Sequence, residues 1–243
     1  MCTVTYIPLK NGFVLTSSRD EKVYRPTLKP KVYAHSNGLL VYPKDEIGNG
    51  TWIATSNKSK IACLLNGGFQ NHKKKENYTI SRGKILIQCF DYNSFDEAIE
   101  NLDLCNVEPF TLLLIDFEAG LKFNQLVWDG EQKHFKIINP DVPLIWSSST
   151  LYSDQDRELR KSWFENWINI NKQIKDCNIL NFHSFRHGKV DSKDVLMKRE
   201  SGLQTVSISQ IKIGNTERTF SYCELNDLNT TTINLNKLEC IQV

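Results

Sequence analysis

The sequence predicts an α+β fold in which helices cover antiparallel sheets. Three observations lead to this prediction: pairs of β-rich segments joined by short polar turns, a long amphipathic helix in the second half, and more strands on both sides of that helix. Strands joined by short turns pair antiparallel, and their apolar faces must be covered by another layer of secondary structure.

The first β-rich pair covers residues 3–7 and 13–18, which are dominated by β-branched and aromatic side chains. Their connection contains Asn11-Gly12, a pair that favours a tight hairpin turn. We therefore expect a β-hairpin at the start of the chain.

The second pair covers residues 51–54 and 61–65, on either side of the polar turn 57–60. Residues 61–65 are apolar on both faces, which is typical of a buried strand. This hairpin is expected to end at Asn66 and the two glycines that follow it.

Helix signals come next along the chain. Ser94, with Glu97 three residues later, forms a capping-box pattern that predicts the start of a short helix. A second helix is expected from Ser153, because apolar side chains recur there at spacings of three and four residues. Its predicted core stripe consists of Leu159, Trp163, Trp167, Ile170 and Ile174. The remaining strands are expected near residues 111–117, 122–128, 134–138, 203–213 and 218–225.

Length and charge limit the possible classes of protein. We interpret residues 1–243 as a single domain, and the formal net charge of +2 is too small to indicate a nucleic-acid partner. The longest apolar stretch, around residues 112–115, is far shorter than a membrane span. The chain begins without the pattern of a secretory signal, so a cytoplasmic protein is expected.

The cysteines do not form a metal-binding or disulfide pattern. There are seven of them, an odd number without CxxC spacing. His183 and His187 have helical metal-ligand spacing, but Cys177 is the one obvious further ligand nearby. We expect neither a metal nor a cofactor.

Cys2 is the candidate nucleophile. Removal of Met1 places a thiol and a free α-amine on this one residue. An α-amine titrates at about 7.7–8.0, which suits a general base at neutral pH. The alternative is a structural role, because free cysteine often acts as a small buried apolar residue.

Arg19 and Asp20 are the candidate partners of Cys2, since they end the strand that pairs with the one beginning at Thr3. A guanidinium favours the reactive thiolate, and a carboxylate orients an amine through a hydrogen bond. The alternative interpretation is a solvated charge cluster formed with Glu21.

Asn66 is a candidate oxyanion donor. Its amide follows a buried strand, and the glycines after it allow a substrate to approach the backbone. An ordinary strand-ending turn is the alternative.

Several short segments, spread over nearly the whole chain, together resemble the NRDE family, also called the transport and Golgi organisation 2 family. They are Met1-Cys2-Thr3, Ser18-Arg19-Asp20-Glu21 with Arg25-Pro26, Asn49-Gly50-Thr51-Trp52, Ser81-Arg82-Gly83 and Thr205-Val206-Ser207. The resemblance implies the four-layered αββα sandwich of the Ntn hydrolases, related to bile-salt hydrolases and penicillin acylases.

The resemblance also implies roles for matching residues: Cys2 as nucleophile, Arg19 and Asp20 as its charged neighbours, and Asn66 as oxyanion donor. Two positions depart from the family pattern. Ser18 stands where the signature begins with asparagine, and 147–150 is a serine- and threonine-rich segment where Asn-Ser is expected. Ser148 is the candidate replacement for the missing amide.

The function expected from these residues is that of a cysteine Ntn hydrolase that cleaves a non-peptide C–N amide of a small acylated molecule. The alternative is a non-catalytic binding or trafficking protein that uses the same scaffold for a lipid-like or haem-like ligand. The presence of Cys2, Arg19 and Asp20 together favours catalysis, because simple binding has no evident need for a thiol beside a free amine.

Overall fold

The computed structural model describes residues 3–171, 176–227 and 229–238. They form thirteen strands and four α-helices. In chain order the strands are Thr3–Leu9 (β1), Gly12–Lys22 (β2), Thr27–His35 (β3), Gly38–Asp45 (β4), Ile53–Ser56 (β5), Lys60–Asn66 (β6), Phe110–Asp116 (β7), Lys122–Trp128 (β8), Lys133–Ile137 (β9), Leu144–Ser147 (β10), Leu203–Gly214 (β11), Arg218–Glu224 (β12) and Asn229–Asn234 (β13). The helices are Arg82–Gln88 (α1), Phe95–Asn101 (α2), Asp154–Ile170 (α3) and Asp176–Ser184 (α4).

The chain divides into two units, and each contains one sheet. The first unit comprises the described residues up to Arg25 and those from Asp141 to Asn236. Its sheet has the strand order β10-β1-β2-β11-β12-β13, and it also contains α3 and α4. The second unit is formed mainly by residues 26–140, with strands β3 to β9 in chain order and helices α1 and α2.

All the strand pairs in both sheets are antiparallel. The predicted α+β class with two antiparallel sheets is therefore confirmed. The interpretation of residues 1–243 as one domain stays a prediction.

The predicted N-terminal hairpin is formed by β1 and β2, which pair from Thr3 opposite Ser18 to Leu9 opposite Gly12. Gly12 has a φ of +138°, and a Cβ at this position would lie 1.9 Å from the carbonyl oxygen of Ile213 on β11. The turn therefore requires glycine. β2 continues to Lys22, so it is longer than predicted and includes the charged residues that follow Ser18.

The predicted hairpin of β5 and β6 and the three strands β7 to β9 are also present. Ser94 caps α2 by accepting a 3.0 Å hydrogen bond from the Glu97 amide. The capping box is incomplete, because the Glu97 carboxylate accepts from the Asn93 amide and not from that of Ser94. The apolar core of this unit lies between its sheet and helices α1 and α2, and includes Leu64, Ile85, Leu86, Phe95, Leu112 and Leu126.

Helix α3 begins after Ser153 with a complete capping box, but the predicted core stripe is partly wrong. Leu159 and Ile170 are 42% and 73% exposed, whereas Arg160 and Phe164 are buried. The buried face is therefore displaced from the predicted one, and Trp163 is only partly buried against it. Ile174 lies outside the described residues.

The first unit has its own apolar cluster between the sheet and the two helices. Ile7 and Val14 of the sheet pack with Phe164 of α3 and with Ile179 and Phe182 of α4. Among the described helices, none is long and apolar enough to cross a membrane. The expected cytoplasmic location stays a prediction.

Candidate active site

Three elements of the first unit meet at the beginning of β1. This strand lies between β10 and β2, and Thr3 pairs with Ser147 on one side and with Ser18 on the other. The next residues of the two flanking strands are the predicted site residues Ser148 and Arg19. They therefore lie on either side of the chain end to which Cys2 is attached, while Cys2 itself lies outside the described residues.

Arg19 and Asp20 are buried, and each is only 3% exposed. The alternative of a solvated charge cluster is therefore wrong for these two residues. It applies better to Glu21, whose carboxylate lies 3.5 Å from the guanidinium of Arg25 at a partly exposed position. Successive residues of a strand point to opposite sides, so the structure places Arg19 and Asp20 on opposite faces of the sheet.

The Asp20 carboxylate accepts two short hydrogen bonds. The hydroxyl of Tyr152 donates to Oδ2 at 2.8 Å, and the hydroxyl of Thr205 donates to Oδ1 at 2.6 Å. Both distances lie within the usual range for O–H···O hydrogen bonds. Asp20 is thus held in a fixed orientation on the face of the sheet that α4 covers.

The environment of Arg19, on the opposite face, combines polar and apolar side chains. Burial raises the pKa of the nearby Tyr222 hydroxyl, and the charge of Arg19 opposes part of this rise. Ser17 and Leu15 precede Arg19 on the same face of β2 and are fully buried. The guanidinium therefore lies in a largely dehydrated environment, where its electrostatic effect is stronger than in water.

Arg160 of α3 is fully buried and contacts two parts of this region. One of its terminal nitrogens donates to the hydroxyl of Thr3. Its guanidinium carbon also lies 3.8 Å from the ring centroid of Tyr152, in cation–π geometry. Arg160 thus connects the beginning of β1 with the side chain that binds Asp20.

His183 of α4 bridges β1 and β2. Its Nε2 lies 2.8 Å from the hydroxyl of Thr5, and its Nδ1 lies 2.7 Å from that of Ser18. Burial, together with the positive charge of Arg160, lowers the pKa of His183 to about 3. The imidazole is therefore neutral at pH 7, with one ring nitrogen donating and the other accepting.

Ser148 is almost fully buried in the turn that follows β10. Its hydroxyl lies 2.9 Å from that of Thr150, and its carbonyl oxygen accepts a 3.2 Å hydrogen bond from the amide of Tyr152. The same turn therefore positions Ser148 and the tyrosine that donates to Asp20.

Asn66 belongs to the second unit, where it ends β6 opposite Phe110 of β7. Gly67 follows with a φ of +88°, which favours glycine. The Gly67 amide donates to the Pro109 carbonyl at 3.0 Å, and the Thr111 hydroxyl donates to the Gly67 carbonyl at 3.1 Å. Both sides of the turn after Asn66 are thus fixed.

Two of the sequence motifs pack against each other in this second unit. A Cβ on Gly50 would lie 2.4 Å from the carbonyl carbon of Gly83, and a Cβ on Gly83 would lie 2.7 Å from the Thr51 carbonyl oxygen. Both positions therefore require glycine for close backbone contact. Arg82, which precedes Gly83, also donates to the Pro109 carbonyl at 3.2 Å, the group that binds the Gly67 amide.

Among the described residues, neither the buried cysteines nor the pair His183 and His187 forms a competing site. Cys63 and Cys89 are buried, and burial raises the pKa of the Cys89 thiol to about 12, whereas Cys105 is exposed. His183 binds hydroxyl groups through both ring nitrogens, and Nε2 of His187 lies 2.7 Å from a main-chain carbonyl. Within the described ranges, no group of three potential metal ligands is present.

Four residues that support this region were not assigned to it from the sequence: Tyr152, Arg160, His183 and Thr205. His183 was considered only as a metal ligand. Thr205 belongs to one of the motifs, and this was a usable signal. Arg160 precedes the buried Phe164 by four residues, so helical spacing placed a charge on the buried face of α3. No comparable signal in the sequence connected Tyr152 with Asp20.

The family model for Transport and Golgi organisation 2 matches residues 1–212, which is most of the chain. The chain belongs to this family. The match confirms the resemblance carried by the short motifs. Among curated proteins, no significant match to the sequence was found.

Several solved structures are similar in fold to this member of the Transport and Golgi organisation 2 family. A cysteine-to-alanine variant of the conjugated bile acid hydrolase from Clostridium perfringens is 10% identical, with a TM-score of 0.61 over 98% of this chain and 94% of that chain. Penicillin V acylase from Agrobacterium tumefaciens is 13% identical, with a TM-score of 0.56 over 98% and 87% of the two chains.

A third similar structure is the Caenorhabditis elegans orthologue of N-acylethanolamine-hydrolyzing acid amidase. It is 10% identical, with a TM-score of 0.56 over 86% of this chain and 92% of that chain. Identities this low show a common fold, the Ntn-hydrolase fold, and do not by themselves carry over an activity.

Proposed function

We propose that the chain is an N-terminal-nucleophile cysteine hydrolase that cleaves a non-peptide C–N amide bond of a small acylated molecule, with Cys2 as nucleophile after removal of Met1. One observation carries the proposal: Arg19 and Asp20 are both buried in β2, next to Ser18, the partner of Thr3. Because Cys2 is bonded to Thr3, a guanidinium and a carboxylate lie near the chain end that would carry the thiol and the amine.

The energetics support a functional role for these charges. Removing a carboxylate or a guanidinium from water costs several kcal/mol per ion, by an order-of-magnitude estimate, unless partners compensate. A strand whose only role is structural has no need of two charged side chains at adjacent buried positions. A site that must hold a thiolate and orient an amine does need them.

The first chemical step is acylation of the thiol. The α-amine of Cys2 takes the thiol proton, and the sulfur attacks the amide carbonyl to form a C–S bond. Arg19 favours the thiolate, and Asp20 orients the amine from the other face of the sheet. When the tetrahedral intermediate collapses, the C–N bond breaks and the leaving amine takes the proton held by the α-amine.

Deacylation completes the cycle. Water attacks the thioester carbonyl and gives a proton to the α-amine, and a hydroxyl group is added to the acyl carbon. The C–S bond then breaks, the sulfur recovers its proton, and the carboxylic acid is released. None of these steps requires a metal ion or a cofactor.

The developing oxyanion needs hydrogen-bond donors. Asn66 is the proposed side-chain donor, supported by its place at the end of β6 and by the fixed turn that follows it. Ser148 is the proposed second donor, supported by its burial beside the beginning of β1. The serine side chain is shorter than the asparagine side chain expected at this position, so its donor group lies closer to the main chain.

The proposed substrate class follows from the structural neighbours. A conjugated bile acid hydrolase, a penicillin V acylase and an N-acylethanolamine-hydrolyzing amidase are all named for hydrolysis or acyl chemistry on small molecules. We extend only this common class, a small acylated amide, to the present chain.

Intact-mass analysis of the native protein after incubation with a panel of acyl amides tests the proposal. We expect Met1 to be absent and an acyl adduct to form on Cys2, and the adduct should be missing in Cys2→Ala. An uncleaved N-terminal extension should also abolish acylation, because it converts the α-amine into an amide that cannot act as a base, while a C-terminal tag should have no effect. Acylation of a protein that retains Met1 would exclude this mechanism, and tight binding without any adduct or turnover would favour a binding protein.

A further inference from the structure

Arg160 is an unusual residue for the interior of this unit. Its side chain is completely buried, and its Nε has no hydrogen-bond partner among the described residues. Among the described residues, no carboxylate lies within ion-pair distance of the Arg160 guanidinium. Leaving a buried polar group unpaired costs about 1–3 kcal/mol, so stability alone does not explain an arginine at this position.

The contacts of Arg160 indicate what it does. It donates to the hydroxyl of Thr3, the first described residue of β1 and the one bonded to Cys2. Its guanidinium also lies 3.8 Å from the ring centroid of Tyr152, whose hydroxyl donates to Asp20 at 2.8 Å. One side chain thus contacts both the strand that carries the proposed nucleophile and the group that holds the proposed amine acceptor.

The surroundings of Arg160 separate it from the structural core. Farther along the same face, Ile7 and Val14 pack against Phe164 and Phe182 and form an apolar contact between sheet and helices. At the end near Thr3 the contact between helix and sheet becomes polar. An apolar side chain at position 160 would fit the helix pattern as well as Phe164 does at position 164. It could not donate a hydrogen bond to Thr3 or place a positive charge against the ring of Tyr152.

We infer that Arg160 and Tyr152 form a positioning pair, which fixes the beginning of β1 relative to Asp20 and so orients the Cys2 amine for catalysis. This inference rests on the proposed function and adds two residues that do not themselves touch the substrate. The Arg160 guanidinium binds the Thr3 hydroxyl by a hydrogen bond and stacks against the face of the Tyr152 ring. The phenol hydroxyl then holds the carboxylate.

The electrostatic neighbours of Arg160 must be considered in any test that depends on pH. Among the described residues these include Asp20 on β2, whose carboxylate binds the Tyr152 hydroxyl, and His183 on α4. The guanidinium of Arg199, before β11, lies 5.6 Å from the same aromatic ring. Nη1 of Arg160 also donates to the main-chain carbonyl of Lys193 at 3.4 Å, next to the fully buried Asp194. Replacing Arg160 removes a charge as well as a contact. Tyr152→Phe removes only the hydroxyl and keeps the ring on which Arg160 stacks, so it separates the two effects.

The test measures the rate of Cys2 alkylation by iodoacetamide from pH 5 to 10, with peptide mapping, in Tyr152→Phe, Arg160→Met and the double variant. Arg157→Met is the matched control, because Arg157 lies on the same helix and pairs with the exposed Asp154. We expect each single variant to raise the midpoint of the alkylation profile by about one pH unit, which lowers the rate at pH 7 about tenfold. The double variant should be no slower than the slower single variant, because both changes break one connection.

Several results would overturn the inference. A folded Tyr152→Phe protein with the wild-type profile would do so, and so would effects that multiply in the double variant, since Arg160 would then act by charge alone. Tyr152→Phe keeps the ring packing, so it tests the inference even if Arg160→Met does not fold.

Failure of the proposed function gives a different result. The wild type would form no acyl adduct with any amide, while its alkylation profile and the effects of the variants would still be measurable. If Cys2 of the wild type reacted no faster than an ordinary thiol, both would be rejected.

Discussion

Thr205 of β11 donates a 2.6 Å hydrogen bond to Oδ1 of Asp20 on the neighbouring strand β2. The pairing of these strands shifts register between Thr205 and Ser207, so a β-bulge lies beside the carboxylate. Bulges of this kind redirect side chains, often close to active sites. The Thr205 hydroxyl also accepts a 2.9 Å hydrogen bond from the amide of Met197, so one hydroxyl satisfies two buried groups.

We expect Thr205→Val to reduce the free energy of unfolding by about 1–3 kcal/mol, because the similar shape is kept while a buried amide and a carboxylate each lose a partner. Cys2 alkylation at pH 7 should also slow. Thr205→Ser keeps the hydroxyl and is the matched control. Urea unfolding and alkylation of both variants would check this, and equal stability of Thr205→Val and the wild type would contradict it.

His183 should make stability depend on pH. Its pKa is about 3 in the folded protein and about 6.5 when unfolded, so below pH 6.5 the unfolded state binds one more proton than the folded state. Stability is then fully present above pH 6.5 and falls by about 1.4 kcal/mol for each pH unit down towards pH 3.

We expect His183→Gln to lack this contribution, so that its stability falls by about 2 kcal/mol less than that of the wild type between pH 7 and pH 5. Urea unfolding at both pH values measures the difference directly. Parallel losses in the two proteins would show that burial does not keep His183 neutral in the folded protein.

Arg19 should control the reactivity of the Cys2 thiol even without substrate. We expect Arg19→Met to slow alkylation of Cys2 at pH 7 by about tenfold, because the thiolate loses a nearby cation, and Arg19→Lys to restore part of the rate. The measurement requires a Cys105→Ser background, since Cys105 is exposed. Buried Cys89 serves as an unreactive internal reference, and an unchanged rate in Arg19→Met would remove Arg19 from the site.

Asn66→Ala should lower kcat by about 10²–10³ with a smaller change in KM, as deletion of an oxyanion donor does. The control is Asn101→Ala, which removes an exposed amide that donates to the Glu97 carbonyl within the same unit. The comparison uses steady-state kinetics on whichever amide forms the acyl adduct. If both variants retain full kcat, Asn66 is only a turn residue.

Gly83→Ala should destabilise the protein, although alanine is the better residue in a helix by about 0.5–1 kcal/mol. The new Cβ would lie 2.7 Å from the Thr51 carbonyl oxygen and 2.8 Å from the Thr51 amide nitrogen, both of them backbone atoms. Overpacking of this kind costs about 1–3 kcal/mol, so it outweighs the gain in helix propensity. Urea unfolding gives the sign, and a stabilised variant would refute the close contact.

The elements that the sequence predicted are those with a strong local signal. The Asn11-Gly12 turn, the buried run 61–65 and the caps at Ser94 and Ser153 each depend on neighbouring residues alone, and each lies where it was predicted. Four strands were missed. β4 contains the apolar run 39–42, a usable signal that was overlooked, whereas the other three have weak patterns. β3 carries a proline and several lysines at a sheet edge, β10 has only four residues, and the edge strand β13 is rich in asparagine and threonine.

The sequence by itself determined the candidate site residues and the family: a cysteine behind a methionine, an Arg-Asp pair, and the motifs of the Transport and Golgi organisation 2 family. Only the tertiary structure decided how they are held. Burial of Arg19 and Asp20, the hydrogen bonds of Tyr152 and Thr205 to one carboxylate, and the contacts of Arg160 join residues that are up to 185 positions apart in the chain. Such contacts depend on sheet register and on the rotation of a helix, which short-range patterns do not specify.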